Sequence, residues 1–269
     1  MTLSVEPQQR GGPERFGLSH DYLAGKGGMP FEWHEANVDN ILRKIEPFHP
    51  ITPLTRILEV GAGLGWFEIV CAKRGLSCSG IDHNPVSHDA ALRLAREHAV
   101  DVNIRVADIE TIDLGREQYD VVVATSVFEH VERFLVGLSK VYDALRPGGV
   151  LYFYSTNKFS LRSGEYPGLP LYGWLPYLAR RRIRISAQGP EIVESAGIDF
   201  NQFTYWGLRR HFRRLGFSRA CDRMDYVDPH DGVSRPTKHV LALRAAKSFP
   251  PLKFAYRVFA SGNAFICVK

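Results

Sequence analysis

A loop with three glycines at alternate positions is the part of this sequence best suited to holding a ligand. It reads Glu59-Val60-Gly61-Ala62-Gly63-Leu64-Gly65 and follows a short apolar segment. Because glycine has no Cβ, such a loop lets the backbone come close to a bound molecule. A dinucleotide site has the spacing Gly-x-Gly-x-x-Gly over a pyrophosphate, but here the third glycine comes one residue early. Glu59 adds a carboxylate, which suits a cationic amino-acid tail better than a diphosphate.

Two more carboxylates follow the next apolar segments along the chain. Asp82 stands where a carboxylate can accept hydrogen bonds from both hydroxyls of a ribose. Asp108 could accept from an adenine amino group while Ile109 packs on the ring. One aspartate at a strand end is often a helix cap or a solvated charge, but three carboxylates after three successive strands indicate a nucleoside site. The predicted cofactor-binding residues are Glu59, Gly61, Ala62, Gly63, Gly65, Asp82, His83, Asp108, Ile109 and Thr125.

A Glu-His pair after the fourth apolar segment supplies the best candidates for proton transfer. Imidazole titrates near neutral pH, so we expect His130 to act as a general base on an acceptor hydroxyl. Glu129 could orient the imidazole, contact the cofactor or act as the base itself. Two alternatives stay open: the pair could cap the helix that follows, or it could hold a divalent metal with ligands that the sequence does not identify. A divalent metal is possible but not expected.

Aromatic side chains before the first strand and after the fifth are candidates to line an acceptor pocket. They suit a planar or apolar small molecule, although any one of them could instead pack the surrounding chain. The predicted acceptor-binding residues are Tyr22, Trp33, His34, Asn157, Tyr172 and Trp174.

Short apolar strands alternate with amphipathic helices, and this alternation brings the candidate residues together. Strands are predicted at 56–60, 77–81, 103–106, 119–124, 150–154, 217–226 and 264–268, and helices at 31–45, 66–74, 90–98, 134–145 and 205–215. The pattern is typical of a parallel sheet covered on both faces. We therefore predict an α/β fold with a Rossmann-like, doubly wound, mostly parallel seven-stranded sheet. The carboxyl ends of its strands would form one edge, where ligands bind in such sheets.

The organisation of the chain is predicted to be one domain with a short arm. Residues 1–28 are expected to form a flexible arm, and residues 29–269 a single domain with lid insertions at about 157–200 and 228–261. A hydrophobic content of 45% over 269 residues is enough for a sizeable core. The sequence shows no apolar run long enough to span a bilayer and no signal-peptide core, so a cytoplasmic location is expected.

An apolar and aromatic segment, residues 169–178, runs directly into four arginines within residues 180–184. Such a segment could make a peripheral contact with an anionic membrane surface, or it could form a solvated face with salt bridges. The net charge of +5 is a mild excess for this length. Since no RNA-binding module accompanies the arginines, nucleic acid is not an expected partner. The sequence leaves the oligomeric state open.

These motifs resemble those of class I S-adenosylmethionine-dependent methyltransferases, in which an acidic residue precedes Gly-x-Gly-x-Gly. Within that superfamily the sequence is most similar to the O-methyltransferases of ubiquinone biosynthesis. The similar stretches are Trp33-His34-Glu35-Ala36-Asn37, Tyr119-Asp120-Val121-Val122, Glu129-His130-Val131, Leu145-Arg146-Pro147-Gly148-Gly149 and Ser155-Thr156-Asn157-Lys158. The resemblance covers residues 30–160. It implies S-adenosyl-L-methionine as methyl donor, S-adenosyl-L-homocysteine as product, and an aromatic, isoprenoid, glycan or other small-molecule acceptor.

Two positions depart from the pattern of the quinone enzymes. Ser126 stands where those enzymes have a further carboxylate that can help to hold a divalent metal, and Asn40 stands where they have an arginine that reaches the cofactor. The resemblance therefore does not carry quinone specificity or metal dependence to this chain. Two alternatives remain: methylation of RNA or protein, and a module that binds S-adenosylmethionine without catalysis. An Asn-Pro-Pro-Tyr signature of amino-nitrogen methylation is absent after the fourth strand.

Overall fold

The structure is a computed structural model that describes residues 29–163, 165–166, 168–190, 199–226 and 245–269. The predicted arm at 1–28, with the candidate acceptor residue Tyr22, lies outside the described residues. So does the first half of the second predicted insertion, residues 228–244. The domain boundaries stay a prediction.

Seven strands form one sheet in the order β3-β2-β1-β4-β5-β7-β6. They are β1 Ile57–Val60, β2 Cys78–Asp82, β3 Asn103–Val106, β4 Tyr119–Thr125, β5 Leu145–Thr156, β6 Arg219–Asp222 and β7 Gly262–Val268. The first five pair in parallel, whereas β7 runs antiparallel to both β5 and β6. The prediction of a doubly wound, mostly parallel seven-stranded sheet is confirmed.

Eight helices have bounds that the described residues define. They are α1 Phe31–Ile45, α2 Trp66–Lys73, α3 Pro85–Glu97, α4 Phe134–Ala144, α5 Tyr177–Gln188, α6 Tyr205–Leu215, α7 Arg223–Tyr226 and α8 Pro250–Phe259. Successive side chains of a strand point to opposite faces. Leu58 and Val122 accordingly pack in a core with α4 and α6, while Ile57 and Val121 pack in a core with α1 and α2. Both faces of the sheet are therefore covered.

Helix α3 and strand β6 differ in extent from the prediction, and hydrogen bonds to side chains explain both differences. Helix α3 begins at Pro85, five residues before its expected start, because the Asn84 side chain accepts from Val86 N at 2.9 Å and caps the helix. The strand predicted at 217–226 is wrong beyond Asp222. Its carboxylate accepts from Met224 N at 2.7 Å, and the chain turns into α7.

Strand β5 begins five residues before the start of the strand predicted at 150–154. The strand starts at Leu145, opposite Tyr119, and its pairing with β4 shifts register before Val121. Gly148 absorbs this irregularity with φ of 77°. Helices α5 and α8 lie within the two predicted insertions and were not predicted from the sequence. Among the described ranges, every helix is too short or too polar to cross a bilayer.

Candidate cofactor and acceptor site

The glycine loop joins β1 to α2 through three residues in the left-handed region. Gly61, Gly63 and Gly65 have φ of 80°, 54° and 72°, a conformation that other residues adopt only with strain. A Cβ on Gly61 would collide with Val127, and one on Gly65 would lie 2.8 Å from Ile104. At these two positions, both the conformation and the packing of the loop require glycine.

Asp82 holds the loop from the end of β2. Its Oδ2 accepts from Gly63 N at 2.8 Å, and its Oδ1 accepts from Asn84 N at 2.9 Å. The amides of Gly61 and Ala62 both donate to Ile81 O, at 2.8 and 3.0 Å. Each carboxylate oxygen can accept a second hydrogen bond. Asp82 therefore shapes the loop and still has the capacity to bind two ribose hydroxyls.

Glu59 and Glu68 form a buried pair of carboxyls next to the loop. Glu59 Oε2 and both side-chain oxygens of Glu68 accept no hydrogen bond from a donor among the described residues. Burial, followed by the neighbouring Glu68, raises the pKa of Glu59 well above its ordinary value. Burial raises the pKa of Glu68 to about 7. Gly80 leaves the space that the Glu68 carboxyl occupies, because a Cβ there would collide with it.

This pair fits the cationic tail of the donor that the resemblance implies. A buried carboxylate oxygen with no donor is costly, and an ammonium group bound beside the loop would satisfy it. The residues that would hold the donor are therefore Glu59 for the amino group and Asp82 for the ribose. Glu68 was not predicted from the sequence; the available signal was a single acidic residue in an otherwise apolar helical segment.

The other predicted cofactor residues lie at the same edge of the sheet. Asp108 is exposed after β3, with Oδ1 accepting from Glu110 N at 2.8 Å. Ile109 is buried and lies against Gly137 of α4. His83 lies 3.8 Å from Asp82, and burial lowers its pKa against the opposing effects of Asp82 and Asp108. Thr125, partly buried, is the last residue of β4. Their cofactor contacts stay predictions.

The two proton-transfer candidates lie on a 3-10 turn, Phe128–His130, directly after β4. Glu129 is buried, its Oε2 accepts from Ser155 Oγ at 2.7 Å, and burial raises its pKa. The side chain of His130 is 42% exposed, so it can meet a substrate. Helix α4 begins at Phe134 without a side-chain cap, and the helix-capping alternative is therefore wrong.

Asp199, in the insertion after β5, is a member of this site that sequence reasoning missed. Its Oδ1 lies 3.7 Å from Nδ1 of His130, and its Oδ2 accepts from Thr156 Oγ1 at 3.1 Å. Burial raises the pKa of Asp199 to about 7. No local motif marks this aspartate, because it lies far along the chain from His130 in an aperiodic segment.

The predicted acceptor residues fall into two groups. On α1, Trp33 is exposed and contacts His34, while His34 is buried and stacks on Trp66 with ring centroids 4.0 Å apart. The other three lie after β5. Trp174 is partly exposed and contacts Phe159 and Phe259.

The polar groups of the two remaining acceptor candidates are already engaged within the protein. Asn157 Nδ2 donates to Val258 O and Ala260 O, each at 2.8 Å, and so ties the end of α8 to the end of β5. The Tyr172 hydroxyl is buried and donates to Glu165. These are the contacts of residues that pack the insertion, and acceptor binding by either one stays a prediction.

The arginine cluster at 180–184 divides between the interior and the surface. Arg180 is 2% exposed; its Nη1 donates to Glu165 Oε2 at 2.6 Å and its Nη2 to Asp199 O at 3.0 Å. Arg184 is also buried and donates to Glu165 O at 2.6 Å, whereas Arg181 and Arg182 are exposed.

Within the described part of the chain, no three His, Cys, Asp or Glu side chains converge as a metal site requires.

Comparisons with known proteins find sequence similarity to methyltransferases. Residues 58–153 match the family model described as a methyltransferase domain. The mitochondrial ubiquinone biosynthesis O-methyltransferase of Mus musculus is 29% identical over 191 residues, covering 62% of this chain and 50% of that protein. The ubiquinone biosynthesis O-methyltransferase of Methylobacterium sp. (strain 4-46) is 33% identical over 134 residues, covering 47% and 51%. The chain thus spans about half the length of these curated relatives.

The fold is also similar to that of solved proteins. An S-adenosylmethionine-dependent methyltransferase from Mesorhizobium loti superposes with a TM-score of 0.55 at 15% identity, covering 90% of this chain and 99% of that one. The matched residues 58–153 run from β1 almost to the end of β5 and include the glycine loop and the Glu-His turn. This part of the chain is therefore similar to methyltransferase domains and to the ubiquinone-biosynthesis O-methyltransferases.

Proposed function

We propose that this protein is an S-adenosylmethionine-dependent methyltransferase that methylates an oxygen atom of a small-molecule acceptor. The observation that carries the proposal is the buried Glu59 carboxyl group beside the glycine loop and Asp82, whose Oε2 has no donor among the described residues. When bound, the donor supplies its methyl group as an electrophile and leaves with the electron pair of the broken carbon–sulfur bond. Glu59 holds the amino group, Asp82 the ribose and Asp108 the adenine amino group.

His130 takes the proton from the acceptor hydroxyl. Methyl transfer needs an aligned and deprotonated oxygen, and this imidazole is exposed at the carboxyl edge of the sheet. The proton then passes from the ring to solvent. Glu129 is buried and bonded to Ser155, so it supports the turn on which His130 stands.

An exposed apolar surface beside the site favours an acceptor that is carried by a membrane. Helix α8 has no buried residue, and Phe254 on it is 56% exposed. Ring contacts join α8 to Trp206 and Trp174, and Leu178 on α5 is 67% exposed. We call this set the apolar surface: Trp174, Leu178, Trp206, Phe249, Leu252, Phe254 and Phe259.

The position and the charge of the apolar surface both suit an anionic bilayer. Asn157 ties the end of α8 to β5, directly after Ser155 and Thr156, whose side chains bond Glu129 and Asp199. The surface therefore adjoins the acceptor side of the site. Exposed arginines follow two members of this surface within four residues along the chain: Arg181 and Arg182 after Leu178 on α5, and Arg210 after Trp206 on α6. Apolar anchors with neighbouring cations bind anionic membranes, so the membrane contact predicted at 169–184 extends over α8.

Vesicle flotation tests the membrane contact. The parent protein should float with phosphatidylcholine vesicles that contain phosphatidylglycerol and much less with phosphatidylcholine alone. Phe254→Glu should abolish flotation. Leu54→Glu, which changes an 88% exposed residue before β1, should leave flotation unchanged. Failure of the parent to bind, or a concentration-dependent dimer that Phe254→Glu abolishes, would contradict a membrane as the occupant.

Transfer of label from methyl-labelled S-adenosylmethionine tests the activity. The panel should include phenols, polyprenyl phenols in detergent, sugars, RNA and protein. We expect label on a hydroxyl of a small molecule, and a fall in kcat of about 10² to 10⁴ in His130→Ala with unchanged donor affinity. Label in RNA or protein would replace the proposed acceptor. Donor binding without transfer to any acceptor would support the non-catalytic alternative and contradict the proposal.

A further inference from the structure

A buried carboxylate faces the ring of the candidate base from the protein side. Asp199 is buried, and its Oδ1 lies 3.7 Å from Nδ1 of the half-exposed His130. This separation exceeds a hydrogen bond, but contacts of catalytic groups are often long before substrate binds and shorten in the substrate complex. The other ring nitrogen, Nε2, is not engaged by Asp199.

Hydrogen bonds fix Asp199 relative to the turn that carries His130. Two residues beyond Asp199, the Asn201 side chain donates to Phe128 O at 3.2 Å and to Val131 O at 2.6 Å. The Asn201 amide donates to Glu129 O at 3.0 Å. Two of these bonds join Asn201 to the Phe128–His130 turn, and the third joins it to Val131 directly after the turn, so the segment that carries Asp199 is held against the turn that carries His130.

Asp199 is also held from two other elements. Thr156 Oγ1 at the end of β5 donates to its Oδ2 at 3.1 Å. Arg180 of α5 donates to its backbone oxygen at 3.0 Å, and Arg180 is itself paired with the buried Glu165. Oδ1 is therefore left to face His130.

We propose that Asp199 is a positioning residue that accepts the Nδ1 proton of His130 and thereby leaves the Nε2 lone pair free for the acceptor. This inference rests on the proposed function. A carboxylate behind an imidazole fixes its neutral tautomer and stabilises the imidazolium that forms when the ring takes a proton. The acceptor proton then goes to Nε2, and Asp199 keeps its charge throughout.

The charged and titratable groups that face Asp199 come from four elements. They are Glu129 and His130 from the turn, Glu165 from the insertion, Arg180 and Arg184 from α5, and Thr156 as hydrogen-bond donor from β5. Burial and then Glu165 raise the pKa of Asp199 to about 7, against the opposing effects of Thr156 and the two arginines. Above that pH the carboxylate is charged, so the tautomer is best examined at about pH 8.

Nitrogen-15 NMR of the histidine rings tests the proposal without depending on activity. The His130 signal is assigned by its loss in His130→Gln. At about pH 8 the parent should show the Nδ1–H tautomer, and Asp199→Asn should shift it towards Nε2–H. Asp222→Asn is the matched control, because Asp222 is also buried but bonds Tyr205 and Arg257. It should leave the His130 tautomer unchanged.

Kinetics supply the second readout. In Asp199→Asn, kcat should fall by about two orders of magnitude, while calorimetric affinity for S-adenosylmethionine should stay within about twofold of the parent and show that the variant is folded. The same tautomer in the parent and in Asp199→Asn would overturn the proposal even if methyl transfer is established. Conversely, absence of transfer would refute the proposed function and leave the tautomer result to decide the role of Asp199.

Discussion

The buried pair Glu59 and Glu68 should make the protein less stable as the pH rises, and Glu68→Gln should remove much of that loss. Burial raises the pKa of Glu68 from 4.5 to about 7 in the folded protein. Between these values the unfolded chain gives up the proton while the folded chain keeps it. The free energy of unfolding therefore falls from about pH 4.5 to about pH 7 and stays low above that.

The size of this effect follows from the two pKa values. At about 1.4 kcal/mol for each pH unit between them, the cost to the folded state is about 3 kcal/mol above pH 7. Glutamine keeps a side-chain oxygen that can still accept from a protonated Glu59, the hydrogen bond that opposes the rise in the pKa of Glu68. Its amide can donate to the unpartnered Oε2 of Glu59. We expect Glu68→Gln to be more stable than the parent by up to about 3 kcal/mol at about pH 8 and nearly equal to it at about pH 4.5.

Urea unfolding followed by circular dichroism, from about pH 4.5 to about pH 8, measures this difference. Glu97→Gln, at an exposed position in the last turn of α3, is the matched control and should follow the parent at every pH. A variant at Glu68 that is less stable than the parent at about pH 8 would refute the reasoning. So would a parent whose stability does not fall between about pH 4.5 and pH 7.

Three further predictions test other parts of the structure. Gly61→Ala should abolish donor binding measured by calorimetry, whereas Gly75→Ala, with a similar φ but open space around a Cβ, should cost only about 1 kcal/mol of stability and keep donor binding. Affinity for S-adenosylmethionine should strengthen as the pH rises, because Glu59, whose pKa is raised, must lose its proton before it can pair with an ammonium group. Calorimetry in two buffers should detect release of that proton on binding. Uptake of a proton would contradict this prediction. Arg180→Ala should destabilise the protein by about 3–5 kcal/mol in urea unfolding, while Arg181→Ala, at an exposed position, should change stability by less than about 0.5 kcal/mol. Equal effects of the two substitutions would contradict the burial of Arg180 and the exposure of Arg181.

The central strands and the loop were predictable because their signals are local. Strands buried on both faces give continuous apolar runs such as Val121-Val122-Val123, and a glycine with positive φ has few replacements. The start of α3 was predictable in principle from Asn84-Pro85, an N-cap followed by proline at the first helical position. Helix α7 was not predictable, because a helix of four residues is too short to show a helical repeat of apolar residues.

The acid–base side of the site could be predicted only in part. His130 follows a strand and belongs to a recognisable Glu-His pair, but Asp199 reaches it only through tertiary packing of the insertion. Composition could not show that Arg180 and Arg184 are buried while Arg181 and Arg182 are exposed. Arg180 and Arg184 are four residues apart and so lie on the same helix face. Only their buried partner, Glu165, shows that this face points into the protein.

Calorimetric titration of the protein with S-adenosylmethionine and, separately, with NAD tests the central claim most directly. Saturable binding of S-adenosylmethionine, weakened about tenfold to hundredfold in Asp82→Ala by loss of the ribose hydrogen bonds, is the predicted result. Binding of NAD with no response to S-adenosylmethionine, or equal S-adenosylmethionine affinity in the parent and in Asp82→Ala, would contradict it.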